Sequence, residues 1–168
     1  MIEKMSIPFF LRKNGDYSKK IFYLNIIFCL VLLTPADSTI IHVQDDYSTI
    51  QEGINAANYG DTVLVEEDIY FENLDFIGKN ILVTSYFMVD ADTNHIDSTI
   101  IDGSGSGNVV IFQSSEGLNS IIMGFTIQNG DATWGGGIRC IGSSPTITNC
   151  IVKDNTANWG AGIHSFGA

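Results

Sequence analysis

From Thr39 onward, apolar residues come in short stretches separated by Gly, Asn, Asp and Ser. Thr39 to Val43 alternates weakly and predicts a first strand; further strands are predicted over 62–66, 69–76, 80–85, 98–102, 108–113, 120–128 and 146–154. Runs such as Thr62-Val63-Leu64-Val65 are apolar on both sides of the alternation, as strands stacked in parallel sheets are. Glycine-rich breaks such as Asp102-Gly103-Ser104-Gly105-Ser106-Gly107 supply corners that require positive φ. One segment has a helical pattern instead. Ser48 as N-cap with Gln51 three residues on predicts a capping box, Ile50, Ile54 and Ala57 share a face, and Gly60 is placed as the C-terminal stop.

The strands repeat. Trp134-Gly135-Gly136-Gly137-Ile138 returns 25 residues later as Trp159-Gly160-Ala161-Gly162-Ile163. The same offset pairs Ile122 with Ile147, Gly124 with Asn149, Phe125 with Cys150, Ile127 with Val152 and Ala132 with Ala157. A fixed period of this length marks a solenoid, whose units bury their apolar faces only on one another. With no room for a helix in the unit, each repeat predicts one rung of a parallel β-helix. Inward positions by alternation are Ile122, Phe125, Ile127, Ile138, Ile147, Cys150, Val152 and Ile163.

The stretch from Tyr47 to Ala57, followed by Gly60-Asp61-Thr62-Val63-Leu64-Val65, resembles the N-terminal cap and first rung of pectin-lyase-like right-handed β-helices. Ser144-Pro145-Thr146-Ile147-Thr148-Asn149-Cys150, with Asn155, Ala157 and Gly160-Ala161-Gly162-Ile163, resembles the repeats of bacterial surface β-helix proteins and polymorphic outer-membrane proteins. The resemblance implies an all-β, right-handed parallel β-helix with a short N-terminal capping helix; because a solenoid needs a cap at each end and none is read after Ser165-Phe166-Gly167-Ala168, the helix is expected to be truncated at its C-terminus. Residues 39–60 are the expected cap and 61–168 the expected coils. It is specific for fold, because this scaffold carries lyases, hydrolases, esterases and non-catalytic adhesins alike.

Composition adds a compartment. Lys19 and Lys20 precede the apolar run from Ile21 to Leu33, and the small residues Ala36 and Ser38 follow, so 1–38 is expected to be a signal peptide cleaved after Ser38. The run is short for a bilayer span, which needs about 20 residues. The expected location is therefore secreted or at the cell surface, with membrane contact only through the export signal. Removing 1–38 leaves Lys79, Arg139 and Lys153 against 16 acidic residues, a net charge near −13. Such a surface repels phosphate backbones and disfavours nucleic acid as a partner.

Candidate chemistry is sparse. Trp134 and Trp159 present indoles at the same point of successive coils, where sugar rings can stack, against the plainer alternative of corner packing. Arg139 lies outward between Ile138 and Cys140, and its counterpart one coil on is His164, a basic pair suited to an anionic glycan or simply solvated. Polysaccharide or cell-surface glycans are the expected partners. Asp90, Asp92, Asn94 and Asp97 alternate oxygen donors as calcium loops do, but His95 stands where such a loop needs glycine, so a solvated inter-rung loop is favoured and no cofactor is expected. Export permits a disulfide between Cys140 and Cys150, but the inward position of Cys150, shared with Phe125, favours two buried free thiols. No recognisable nucleophile arrangement or lyase or pectinesterase motif occurs, so catalytic residues remain unassigned. The reading is a scaffold for adhesion or glycan contact, and its alternative is the N-terminal part of a polysaccharide lyase or other carbohydrate-active enzyme.

Overall fold

The computed structural model describes residues 38–167. The export segment expected over 1–38 thus lies outside the described residues, apart from Ser38. Among the described residues the strands are β1 (Ile40–Val43), β2 (Thr62–Val65), β3 (Ile69–Phe71), β4 (Leu74–Asp75), β5 (Leu82–Ser85), β6 (Ile100–Asp102), β7 (Val110–Phe112), β8 (Ile121–Met123), β9 (Thr126–Gln128), β10 (Asp131–Trp134), β11 (Ile138–Ile141), β12 (Thr146–Thr148), β13 (Ile151–Lys153), β14 (Thr156–Trp159) and β15 (Ile163–Phe166). Every pairing between them is parallel, and the sheets run β1-β2-β5-β8-β12, β3-β6-β9-β13, β4-β7-β11-β15 and β10-β14. From β2 onward each turn of chain therefore contributes one strand to each of three sheets, which is a parallel β-helix.

Like residues stack in columns. Val63, Val83, Ile122 and Ile147 follow one another across the first sheet, Tyr70, Ile101, Ile127 and Val152 across the second, and Leu74, Val110, Ile138 and Ile163 across the third. Rungs about 4.8 Å apart let each apolar side chain rest on the next. The interior positions read from alternation hold, and burial along each column ends in the last coil. Ile122, Phe125, Ile127 and Ile138 are fully buried, Ile147, Cys150 and Val152 are half-buried against the core, and Ile163 is 49% exposed.

The lid forms one residue later than its expected start. Helix α1 (Ile50–Ala56) has Thr49, not Ser48, as N-cap, its hydroxyl accepting from Glu52 N at 3.2 Å, while Ser48 Oγ donates to the Glu52 carboxylate at 3.0 Å. The helix ends at Ala56 with Ala57 as C-cap, so Gly60, at φ +92°, belongs to the turn into β2 rather than to the helix stop. Ile50 and Ile54 are fully buried beneath β1, β2 and β4, which closes the interior of the first coil.

Three predicted strands, over 69–76, 120–128 and 146–154, each break into two at a corner. The loop expected around residues 90–97 contains two short helices, α2 (Phe87–Asp90) and α3 (Asn94–Ser98). They lengthen one coil: Leu82 pairs with Ile121, a step of 39 residues, whereas Ile121 pairs with Thr146 at the repeat's own 25. Glu116 ties three coils together. Fully buried, it accepts from Gly78 N, Ser114 N and Ser143 Oγ, each at 2.8 Å. Burial opposes its ionisation, but these three donors outweigh burial and hold the carboxyl below its usual range.

Candidate functional site

The last two coils bend sharply between the two-stranded sheet and the third sheet. At that bend Gly135 takes φ +65°, and a Cβ there would stand 3.0 Å from Arg139 Cβ, so glycine lets Trp134 fold back beside Arg139. Asn108, from the coil before, donates through Nδ2 to both Trp134 O and Gly135 O at 2.5 Å, and Gly135 N donates to Trp159 O at 3.0 Å. The turn is held from both neighbouring rungs.

Trp134 and Trp159 are register partners, with ring centroids 5.6 Å apart and planes within 14°. That geometry is an offset stack. One face of each indole is turned to its neighbour, so the pair does not offer two free faces to a sugar. The outer face belongs to Trp159, which is 59% exposed against 38% for Trp134. The His164 ring approaches Trp134 with centroids 5.2 Å apart and a 59° tilt.

Arg139 and His164 are likewise register partners, as are Ile141 and Phe166. Alternation from the inward Ile138 turns residues 139 and 141 outward, and 164 and 166 with them. These four side chains and Trp134 line a cavity of about 250 Å3. Arg139 Nε and His164 Nδ1 are both buried and have no hydrogen-bond partner. No carboxylate lines the cavity, and no ion pair involves Arg139 among the described residues. The structure thus brings together all four expected contact residues and adds Ile141, Phe166 and Asn108, none of which was singled out from the sequence. Ile141 and Phe166 carry the same 25-residue offset and were legible from it. Asn108 lies in a coil of different length and was not.

The acidic segment is arranged differently. Asp90 ends α2, Asp92 sits in the turn after Ala91 at φ +60°, and Asn94 and Asp97 belong to α3. Asp90 Oδ1 accepts from Asp92 N and Asp92 Oδ1 from Asn94 N, both at 2.9 Å. His95 then links Asp90 Oδ2 (3.1 Å) to Glu67 Oε1 (2.5 Å). The described residues contain no group of three or more His, Cys, Asp or Glu placed to hold a metal ion. The oxygens of Asp90 and Asp92 serve as local caps.

Cys140 and Cys150 are free thiols. Cys140 is buried beneath Phe112, its register partner, and Cys150 is half-buried with Sγ 3.3 Å from Thr148 O. Burial raises both thiol pKa values, which makes them poor nucleophiles. No helix among the described residues is long and apolar enough to cross a membrane. No protein-family model matches this chain, and no curated protein matches it.

Proposed function

We propose that this protein is an exported β-helix scaffold of the pectin-lyase-like kind that contacts polysaccharide or cell-surface glycans through its last two coils. One observation carries the reading: the Trp134–Trp159 stack borders a cavity that also contains Arg139 and His164. Sugar rings present apolar C–H faces and peripheral hydroxyls. An exposed indole supplies the flat apolar partner, and unpaired donors in an apolar cleft supply the polar contacts that fix orientation. The rigid stacked rungs beneath hold these groups without a mobile loop, which keeps the ordering cost of binding low. The export pattern in 1–38 and the acidic surface support a soluble extracellular setting for it.

The test is a glycan-array screen of the protein, repeated with Trp159→Ala. Binding to a defined glycan that falls by about two- to tenfold in the variant supports the reading, since an aromatic contact is worth about 0.5–1.5 kcal/mol beyond the area it buries. Binding to no glycan, or binding indifferent to Trp159, overturns it. Incubation with polygalacturonate, with and without calcium, is expected to release no unsaturated product; release would favour the lyase alternative.

A further inference from the structure

We infer that the cavity beside Trp134 selects a single acidic sugar unit within an otherwise neutral glycan. This rests on the glycan reading above and adds the ligand's charge and its number. Arg139 Nε and His164 Nδ1 are two of the three buried side-chain polar atoms without a partner among the described residues, and the side chains that carry them line one cavity. The guanidinium of Arg139 has no carboxylate partner in this lining, so a ligand can supply one. Because guanidinium is always charged, an anionic acceptor gains most there. Ile141, Phe166 and Trp134 make the remaining walls apolar, which leaves Arg139 and His164 as the polar groups of the lining. The occupant is a ring with one carboxylate or sulfate group.

Number follows from size and from the surrounding field. About 250 Å3, just below the usual range of small-molecule sites, admits about one ring with its substituent. The other two cations of the expected mature chain are engaged or distant in the fold: Lys79 Nζ donates to the carbonyls of Ile54, Asn55 and Ala57, and Lys153 lies on β13 in another sheet. A polyanion would set its further charges against a surface of net charge near −13 and be repelled. One acid is attracted locally; a string of them is not.

Isothermal titration of the protein with four oligosaccharides of equal length tests this. They are a neutral parent, the same chain ending in one uronic acid, its methyl ester, and a polyuronate; a singly sulfated chain separates sulfate from carboxylate as the source of the charge. The singly acidic chain is expected to bind at least about tenfold more tightly than the neutral parent and the ester, the usual worth of a hydrogen bond to a charged group. Arg139→Gln should remove that preference, so that the singly acidic chain binds the variant no more tightly than its methyl ester does. The ester comparison reads the charge on the ligand side, so it decides the matter even where the variant folds poorly. Equal binding of the neutral, esterified and acidic chains overturns the inference and leaves the glycan reading standing, as does a polyuronate that binds best at low salt. Binding of none of them overturns the glycan reading itself.

Discussion

The Glu72 carboxylate accepts the backbone N–H of Ile50 at 2.9 Å through one oxygen, and that of Gln51 at 3.0 Å through the other. The residue after β3 thereby caps the first turn of the lid helix from outside it, and Gln51 answers with paired hydrogen bonds to the backbone of Asp75. Charge at a helix start and two satisfied amides add together. Glu72→Ala should cost about 1–2 kcal/mol, as lost caps do, with faster amide exchange in α1 than in β8. Exchange that rises equally in both elements would mean that the lid is not a separate unit.

The graded exposure of the stacked columns makes aspartate a depth gauge. Ile122→Asp places a charge in the fully buried interior and should cost more than about 4 kcal/mol. Ile147→Asp, one rung on and half-buried, should cost less, and Ile163→Asp, half-exposed, should fall within about 0.5 kcal/mol of the parent. Urea midpoints give the order. An Ile163→Asp variant as damaged as Ile122→Asp would contradict the column geometry.

Much of this was legible because the last two coils share one length. The 25-residue offset puts Trp134 on Trp159 and Arg139 on His164, and the structure pairs them so. Legibility failed where long-range contacts choose between equivalent local signals. Ser48 and Thr49 are both competent caps, and Gln51 and Glu52 both competent partners; Glu72, from the following coil, engages the amides of Ile50 and Gln51 and so favours the later start. Breaks within predicted strands fall at Asn149 and at Gly124, whose φ angles of +50° and +83° turn the corner without any local cluster of turn residues. The helices of the 39-residue coil were missed because four and five residues are too few to establish a helical period.

His95 predicts a pH dependence. Its hydrogen bond to Asp90, and after it the one to Glu67, hold the imidazole pKa above the ordinary 6.5 against the opposing effect of burial. A raised histidine contributes stability that is fully present below 6.5 and is lost as pH rises through the shifted value. Asp90, held below 3.8 first by Asp92 N and then by His95, contributes in the opposite sense, losing its share only as pH falls through its own lowered value. Amides of α2 and α3 should therefore be best protected near pH 5–6 and exchange faster, relative to β8, toward pH 8. His95→Gln should flatten that difference; a profile unchanged by the substitution would assign it elsewhere.

Gly137 and Gly162 occupy equivalent positions one coil apart, yet they should respond to alanine in opposite ways. A Cβ on Gly137 would lie 2.6 Å from Gly162 O and 2.7 Å from Val152 Cγ1, in contact with the coil that follows. The backbone oxygen cannot swing aside as a side chain would, so Gly137→Ala must push the two rungs apart, at an overpacking cost of about 1–3 kcal/mol. A Cβ on Gly162 meets only Val152 Cγ1, at 3.8 Å, an ordinary contact. Gly162→Ala should be neutral, or more stable by up to about 1 kcal/mol through the reduced freedom of the unfolded chain. Because Gly137 follows the turn that sets Trp134 over Trp159, Gly137→Ala should also diminish the near-ultraviolet circular dichroism of the indole pair, and Gly162→Ala should leave it intact. Equal losses in both variants would mean that a further layer covers Gly162 as tightly as the last coil covers Gly137.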